Sequence, residues 1–181
     1  MIFWLIIADE IAFWLFISMG LVTRYIFIKK RLSFFLLACT PVLDFILLIF
    51  TFFDLKNGNP ATFAHTLSAV YIGISIAFGS KMIQWADAQF AYRFAGGSKP
   101  EKEMIYGREK ALRERHGWYR HLVAWVIGAG LMLAIHLFAG HPEETQSFLT
   151  WILRWAIILV IDFFISFSYT VFPKKAPQRN N

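Results

Sequence analysis

The sequence predicts an all-α polytopic membrane protein: a bundle of five transmembrane helices with an amphipathic cytoplasmic helix between spans three and four. Three observations predict it. Of 181 residues, 57% are hydrophobic, 18% aromatic and only 17% charged, where soluble domains hold about 45–50% apolar and about 25% charged residues. A chain this short buries too little surface to hide that content in an aqueous core. The apolar residues fall in runs long enough to cross a bilayer, and the basic residues fall to one side of those runs. Disorder, coiled coil and collagen are excluded by the same composition, and a lone Cys39 forms no intrachain disulfide and no cysteine metal cluster.

A hydrocarbon core about 30 Å thick needs roughly 20 mostly apolar residues, and windows of that length run Ile2–Val22, Leu32–Phe53, Ala61–Gly79, His121–Ala139 and Phe148–Phe172. The first lacks a basic leader, carries Asp9 and Glu10 within its apolar run and offers no small-residue cleavage site, so it reads as a retained helix rather than a signal peptide. The third is expected to continue through Trp85–Phe94 until Gly96, Gly97, Ser98 and Pro100 break it. A second helical pattern then starts near Glu101, with Glu109/Arg113 and Lys110/Glu114 as i,i+4 pairs, and leads as a basic helix on the inner leaflet into span four. The whole chain, 1–181, reads as one membrane domain with a cytoplasmic helical loop at 80–120 and a cytoplasmic tail at 173–181.

Orientation follows from the bases, which stay on the cytoplasmic side of short loops. Arg24, Lys29, Lys30 and Arg31 lie between spans one and two. Lys81, Arg93, Lys99, Lys102, Arg108, Lys110, Arg113, Arg115 and Arg120 lie between three and four, and Lys174, Lys175 and Arg179 follow five. The opposite loops hold Lys56 and the acidic Gly140–Ser147 stretch, and Arg154 sits inside a span. The N-terminus is therefore expected outside and the C-terminus in the cytoplasm, with a bacterial cytoplasmic membrane as the location. Arg108, Lys110, Arg113, Arg115, Trp118 and Arg120 are the expected contacts to lipid or a protein partner. Positive-inside orientation and anionic headgroups already account for this charge, so no nucleic acid is expected.

The stretch Arg113–Val171 carries Gly117, Trp118, Tyr119, His121 and Leu122 in its charged lead-in and Trp151 and Trp155 in its second helix. It resembles the bacterial 2TM domain family, which pairs such a lead-in with a Trp-rich second helix. The resemblance covers about a third of the chain and implies a hairpin of spans four and five. It supplies no active site.

Ionisable residues inside spans cost from roughly 2.5 kcal/mol upward and raise a functional hypothesis by default. Asp9, Glu10, Asp44, His65, His136, Arg154 and Asp162 are such residues. Counting about 1.5 Å per residue places Glu10, His65, His136 and Arg154 roughly 5–12 Å from the outer surface, and Asp44 and Asp162 near the midplane. Together they outline an ion or substrate pathway. Helical phase puts His65, Ser68, Ser75 and Gly79 on one stripe, His121, Gly128, Met132 and His136 on another, and Arg154, Asp162 and Tyr169 on a third. The alternative is that these stripes are packing seams with small residues for close approach and polar ones as glue, and that Arg154 pairs with Glu10 or Asp9 to stabilise the fold alone. Asp44 and Asp162 have no base within a turn of their own helices, the setting of a proton relay or cation site. Pro41 frees the carbonyl of Leu37, which would then be available to an ion beside Asp44. A plain kink, with Asp44 bonded to a neighbour such as Thr40, is the alternative.

Two histidines at equal depth, His65 and His136, admit ligation of a haem iron or, with Glu10, of zinc, but no cofactor is expected. Neither is an enzyme: no Ser, Cys or Thr stands in a catalytic setting, and Gly96-Gly97 lacks a following Gly-Lys-Ser pattern. Two functions stay open, a permease, channel or proton-linked carrier for an ion or small solute, and a non-catalytic sensory or assembly module. A homo-oligomer or a membrane or cytosolic protein partner fits either.

Overall fold

Helix after helix follows from the apolar runs, because a backbone without water satisfies its N–H and C=O groups within the helix. The computed structural model describes residues 2–100 and 105–173 and places six helices there: α1 (Ile2–Tyr25), α2 (Lys30–Lys56), α3 (Phe63–Phe94), α4 (Gly107–Phe138), α5 (Pro142–Thr145) and α6 (Ser147–Val171). There is no strand among the described residues. Glu101, Lys102, Lys174, Lys175 and Arg179, to which the sequence reading assigns a helix start and cytoplasmic charge, lie outside them. Four helices, α2, α3, α4 and the α5–α6 stretch, are long and apolar enough to cross a membrane. The expected count of five spans would add α1, a helix of 24 residues.

The breaks sit where local chemistry demands them. A turn over Ile26–Lys29, with Ile28 in the left-handed region (φ 57°), reverses the chain between α1 and α2. At the other end of α2, Gly58 (φ 81°) starts the turn to α3. Past Ala95, the expected stop of the third helix holds: Gly96 takes φ 66° and the Gly97 amide returns to the Ala91 carbonyl at 3.0 Å. Gly140 (φ 84°) and Pro142 turn α4 into α5 and α6.

One expectation is corrected. The basic stretch Gly107–Arg120 is not a separate helix lying on the leaflet. It is the first part of α4, one unbroken helix of 32 residues, because nothing from Gly107 to Phe138 is a helix breaker: the glycines inside it cost about 1 kcal/mol each at most, and no proline interrupts it.

Neighbours in sequence are neighbours in space. α1 packs mainly on α2, α3 on α4 and α4 on α6, with lesser contacts of α3 to α1 and α2. Consecutive long helices alternate in direction, so the α2–α3 and α4–α6 loops meet at one end, where the Ala61 amide donates to the Glu144 carbonyl (2.8 Å) and the Ser147 hydroxyl to the Ala61 carbonyl (3.2 Å). Beneath this loop end Leu48, Leu55, Ala69, Met132, Ile135, Ala139 and Phe148 form the apolar core. At the opposite, basic end, Arg24 reaches Asp87 at 3.3 Å and Tyr25 stacks with Phe90. Large apolar side chains point away from the bundle, Ile157, Ile161 and Phe164 of α6 among them, as lipid-facing residues do.

Candidate functional site

The antiparallel register of α2 and α3 is read from two hydrogen bonds. Asp54 meets His65 near the loop end, and ten residues deeper in each helix Asp44 meets Ser75, whose hydroxyl donates to Oδ2 at 2.5 Å. The same register sets Thr51 opposite Ser68. α2 turns Ser33, Thr40, Asp44 and Thr51 inward at intervals of seven, four and seven residues, and all four are buried, so this seam is lined with polar groups on one face.

At the loop end His65, 1% exposed, is held through both ring nitrogens. Its Nδ1 accepts the Thr62 amide N–H at 2.9 Å, so the proton lies on Nε2, which donates to Asp54 Oδ2 at 3.0 Å. Asn59 donates to the other Asp54 oxygen at 3.1 Å. His65 thereby takes the part that a glutamate plays in a capping box, tying the start of α3 to the end of α2. With both nitrogens engaged it has none to offer an iron or zinc ion. His136 has its Nδ1 2.8 Å from Thr145 Oγ1, whose hydroxyl donates to the His141 carbonyl at 3.1 Å. The two histidines thus bond to different partners, His65 to Asp54 and Thr62, His136 to Thr145.

Asp44, 4% exposed, lies near the middle of α2, and Ser75 is its hydrogen-bond partner. Asp9 of α1 is close enough to interact with it electrostatically, and Tyr71 of α3 with Asp9, Glu10 and Asp44 together. Three carboxylates on neighbouring helices thus share one region. No Lys or Arg occurs in 2–23, 32–55 or 57–80. The Leu37 carbonyl freed by Pro41 accepts the Thr40 hydroxyl at 2.9 Å. Beside Asp44 a groove of about 300 Å³ runs between α2 and α3.

Asp162 departs from expectation. Its Oδ2 lies 2.6 Å from His121 Nδ1 and its Oδ1 accepts from Ser166 at 3.4 Å. Because α6 begins at Ser147, Asp162 is fifteen residues along it, roughly 22 Å, past the middle of α6 and level with His121 in the middle of α4. Together with Trp118 donating to the Leu159 carbonyl (3.1 Å) and Trp125 to that of Ile152 (3.3 Å), the pair bolts α4 to α6.

Residues 107–180 match the model of the 2TM domain, the family that the lead-in and tryptophans of α4 and α6 resemble. Over 179 residues the chain is 45% identical to the uncharacterised membrane protein YmcC of Bacillus subtilis (strain 168), with 98% of this chain and 96% of that protein covered. The chain belongs to the YmcC family. Membership covers α1–α3 as well as the 2TM hairpin, so the carboxylate region lies within the aligned length of the YmcC protein. No solved structure matches.

Against that family background, the remaining expected residues separate. Glu10 and Arg154 form no ion pair: both are exposed, α1 packs on α2 and α3, and the Arg154 guanidinium lies 5.0 Å from the Trp151 ring centre, one turn nearer the loop end. Depth counting gave their level but not their position around the bundle. Of the basic set, Lys110 Nζ caps the Tyr169 ring at 4.5 Å, Trp118 packs among Tyr119, Phe163 and Phe167, and Arg108 and Arg113 are exposed. Arg115 is half-buried, and Arg120 Nη1 is buried with no hydrogen-bond partner.

Sequence reasoning missed Gly73 and named Gly79 instead. A Cβ at Gly73 would strike the Ala124 carbonyl, while one at Gly79 would meet nothing within 4 Å. It also missed Asp54, Thr62 and Tyr71. The signal for Asp54 was its place eleven residues before His65, one turn from each end of a short loop.

Proposed function

We propose that this YmcC-family protein is a small carrier or channel of the bacterial cytoplasmic membrane, with α1 as a fifth span, the N-terminus outside and the C-terminus in the cytoplasm, and that it moves protons or a small cation through the region around Asp44. One observation carries the reading: a carboxylate buried near the middle of a membrane helix, bonded to a neutral hydroxyl, with no Lys or Arg anywhere in the spans of α1–α3. A carboxylate so placed binds a proton or a cation, because a lone buried charge is costly. Asp9, Glu10 and Tyr71 add negative potential and hydrogen-bonding capacity beside it.

The α4–α6 half serves in this reading as scaffold. Asp162, His121, His136 and the Trp118 and Trp125 indoles are each engaged in a hydrogen bond within that half. This is what supports, for that half alone, the second reading of a structural module, whose basic end rests on anionic headgroups through Arg108, Lys110, Arg113 and Arg115. No catalytic role is proposed for any residue.

The test is proton flux. Protein in liposomes loaded with a pH-sensitive dye, given an inward-negative potassium diffusion potential, should acidify the lumen faster than empty liposomes, and Asp44→Asn should return the rate to that of empty liposomes. Wild-type protein that moves no protons and no alkali cations, or an Asp44→Asn protein that matches wild type, overturns the reading.

A further inference from the structure

The groove beside Asp44 has a chemistry that neither a metal ion nor an anion fits. Its walls are apolar, Pro41, Val42, Phe45, Ile72 and Ile76, and its polar groups are the Asp44 carboxylate and the Ser75 hydroxyl. Val42, Phe45 and Ile76 are 54%, 56% and 62% exposed, so the mouth lies on the lipid-facing surface of α2 and α3, and the groove opens sideways into the bilayer near its middle. A hard metal cation needs six or more oxygen ligands. This groove supplies a carboxylate and a hydroxyl, and Leu37, whose carbonyl Pro41 frees, is not among its lining residues. An anion would meet Asp44 together with Asp9 and Glu10 across the α1 contact, with no Lys or Arg in the three spans to receive it.

We propose that this groove binds a hydrophobic organic cation arriving from within the bilayer, and that the bound cation replaces a proton on Asp44. The inference rests on the proposed role of Asp44 and names its substrate class. An apolar body suits the walls, and a cationic head meets the carboxylate and the face of Phe45, an aromatic ring within reach of the same space. The exchange balances: the Asp44 O–H bond breaks, the proton leaves to water, and the carboxylate keeps the electron pair and the charge that holds the cation. Volume limits the guest, since about 300 Å³ admits a body with one ring and a small ammonium head rather than a lipid.

Benzyltrimethylammonium, which cannot itself titrate, is a suitable probe for full-length protein in phosphatidylcholine nanodiscs under weak buffering. Calorimetry should show saturable binding with about one proton released per cation bound. Asp44→Asn should weaken binding at least about tenfold, the loss expected of one charge-assisted contact, and abolish proton release, while Glu143→Gln in the exposed loop should bind as wild type. Ile76→Trp, which fills the mouth and leaves the carboxylate intact, should also lose binding, so the test survives a misfolded Asp44 variant. Absence of saturable binding, unchanged binding in either groove variant, or equal binding of uncharged neopentylbenzene overturns the site; the last outcome would mark the groove as an acyl-chain cleft. Asp44-dependent proton flux without cation binding sinks this inference and leaves the proposed function standing. Cation binding without any flux sinks the carrier reading alone.

Discussion

His65 shows how one side chain joins two helices. Its Nδ1 closes the start of α3 and its Nε2–H reaches Asp54 on α2, so Asp54→Ala strands a donor in a residue that is 1% exposed. A buried unsatisfied donor costs about 1–3 kcal/mol. Asp54→Ala should therefore lower the thermal midpoint of the purified protein, followed by intrinsic fluorescence, and Asp54→Asn, which still accepts a hydrogen bond, should lower it less. Equal midpoints for all three proteins would show that the bond contributes nothing. This link was hard to read from the sequence, because Asp54 lies at the edge of an apolar window and was counted with the loop. Asp44 was legible: its depth and the absence of a base on its helix follow directly from residue order. Its partner was not, since a turn count names Thr40 as readily as Ser75, and the register between two helices is a property of their packing.

α4 is the element that sequence reasoning described least well. The sequence reading lays the basic stretch 107–120 on the inner leaflet as a lead-in to span four, whereas it is the first part of one continuous helix. Spin labels at Arg108→Cys and Val126→Cys, on a Cys39→Ser background, should therefore lie about 27 Å apart along the axis, eighteen residues at about 1.5 Å each. A distance shortened by a third or more would mean a bend and restore the separate surface helix. The α3–α4 contact depends on two glycines. Gly73 packs against the Ala124 carbonyl and Gly128 against Trp155 of α6 and the Ala69 carbonyl, the small-residue crossing by which membrane helices approach closely. Gly73→Leu should separate α3 from α4 and reduce the yield of folded protein in mild detergent, and Gly79→Leu, at a position with open space, should not. Equal yields would contradict the crossing. The phase argument found Gly128 and missed Gly73 because a stripe drawn through His65 and Ser75 follows the α2 side of α3, and Gly73 faces α4.

At the scale of the molecule, the helices form a succession in which α1–α3 gather the carboxylates that have no basic partner and α4–α6 hold an acid and two histidines in mutual bonds. The windows, their order and the one-sided distribution of bases were legible because lipid imposes length and composition on each span. The division of labour was not, because every intramembrane charge looks alike until its neighbours across the bundle are known: Arg154 and Glu10 share a depth and lie on different helices of the succession. Topology provides an independent check. A reporter fused after Asn181 should be active only if it works in the cytoplasm, and activity of a periplasm-dependent reporter there would invert the proposed orientation. The central claim is that Asp44 works while Asp162 holds the structure together, and it is tested most directly by reading thermal stability and proton flux on both variants in the same liposomes. Asp44→Asn should keep the wild-type melting temperature and lose the flux, and Asp162→Asn should melt lower and, below its transition, retain the flux. Flux that survives Asp44→Asn and disappears in a stable Asp162→Asn protein would contradict the claim.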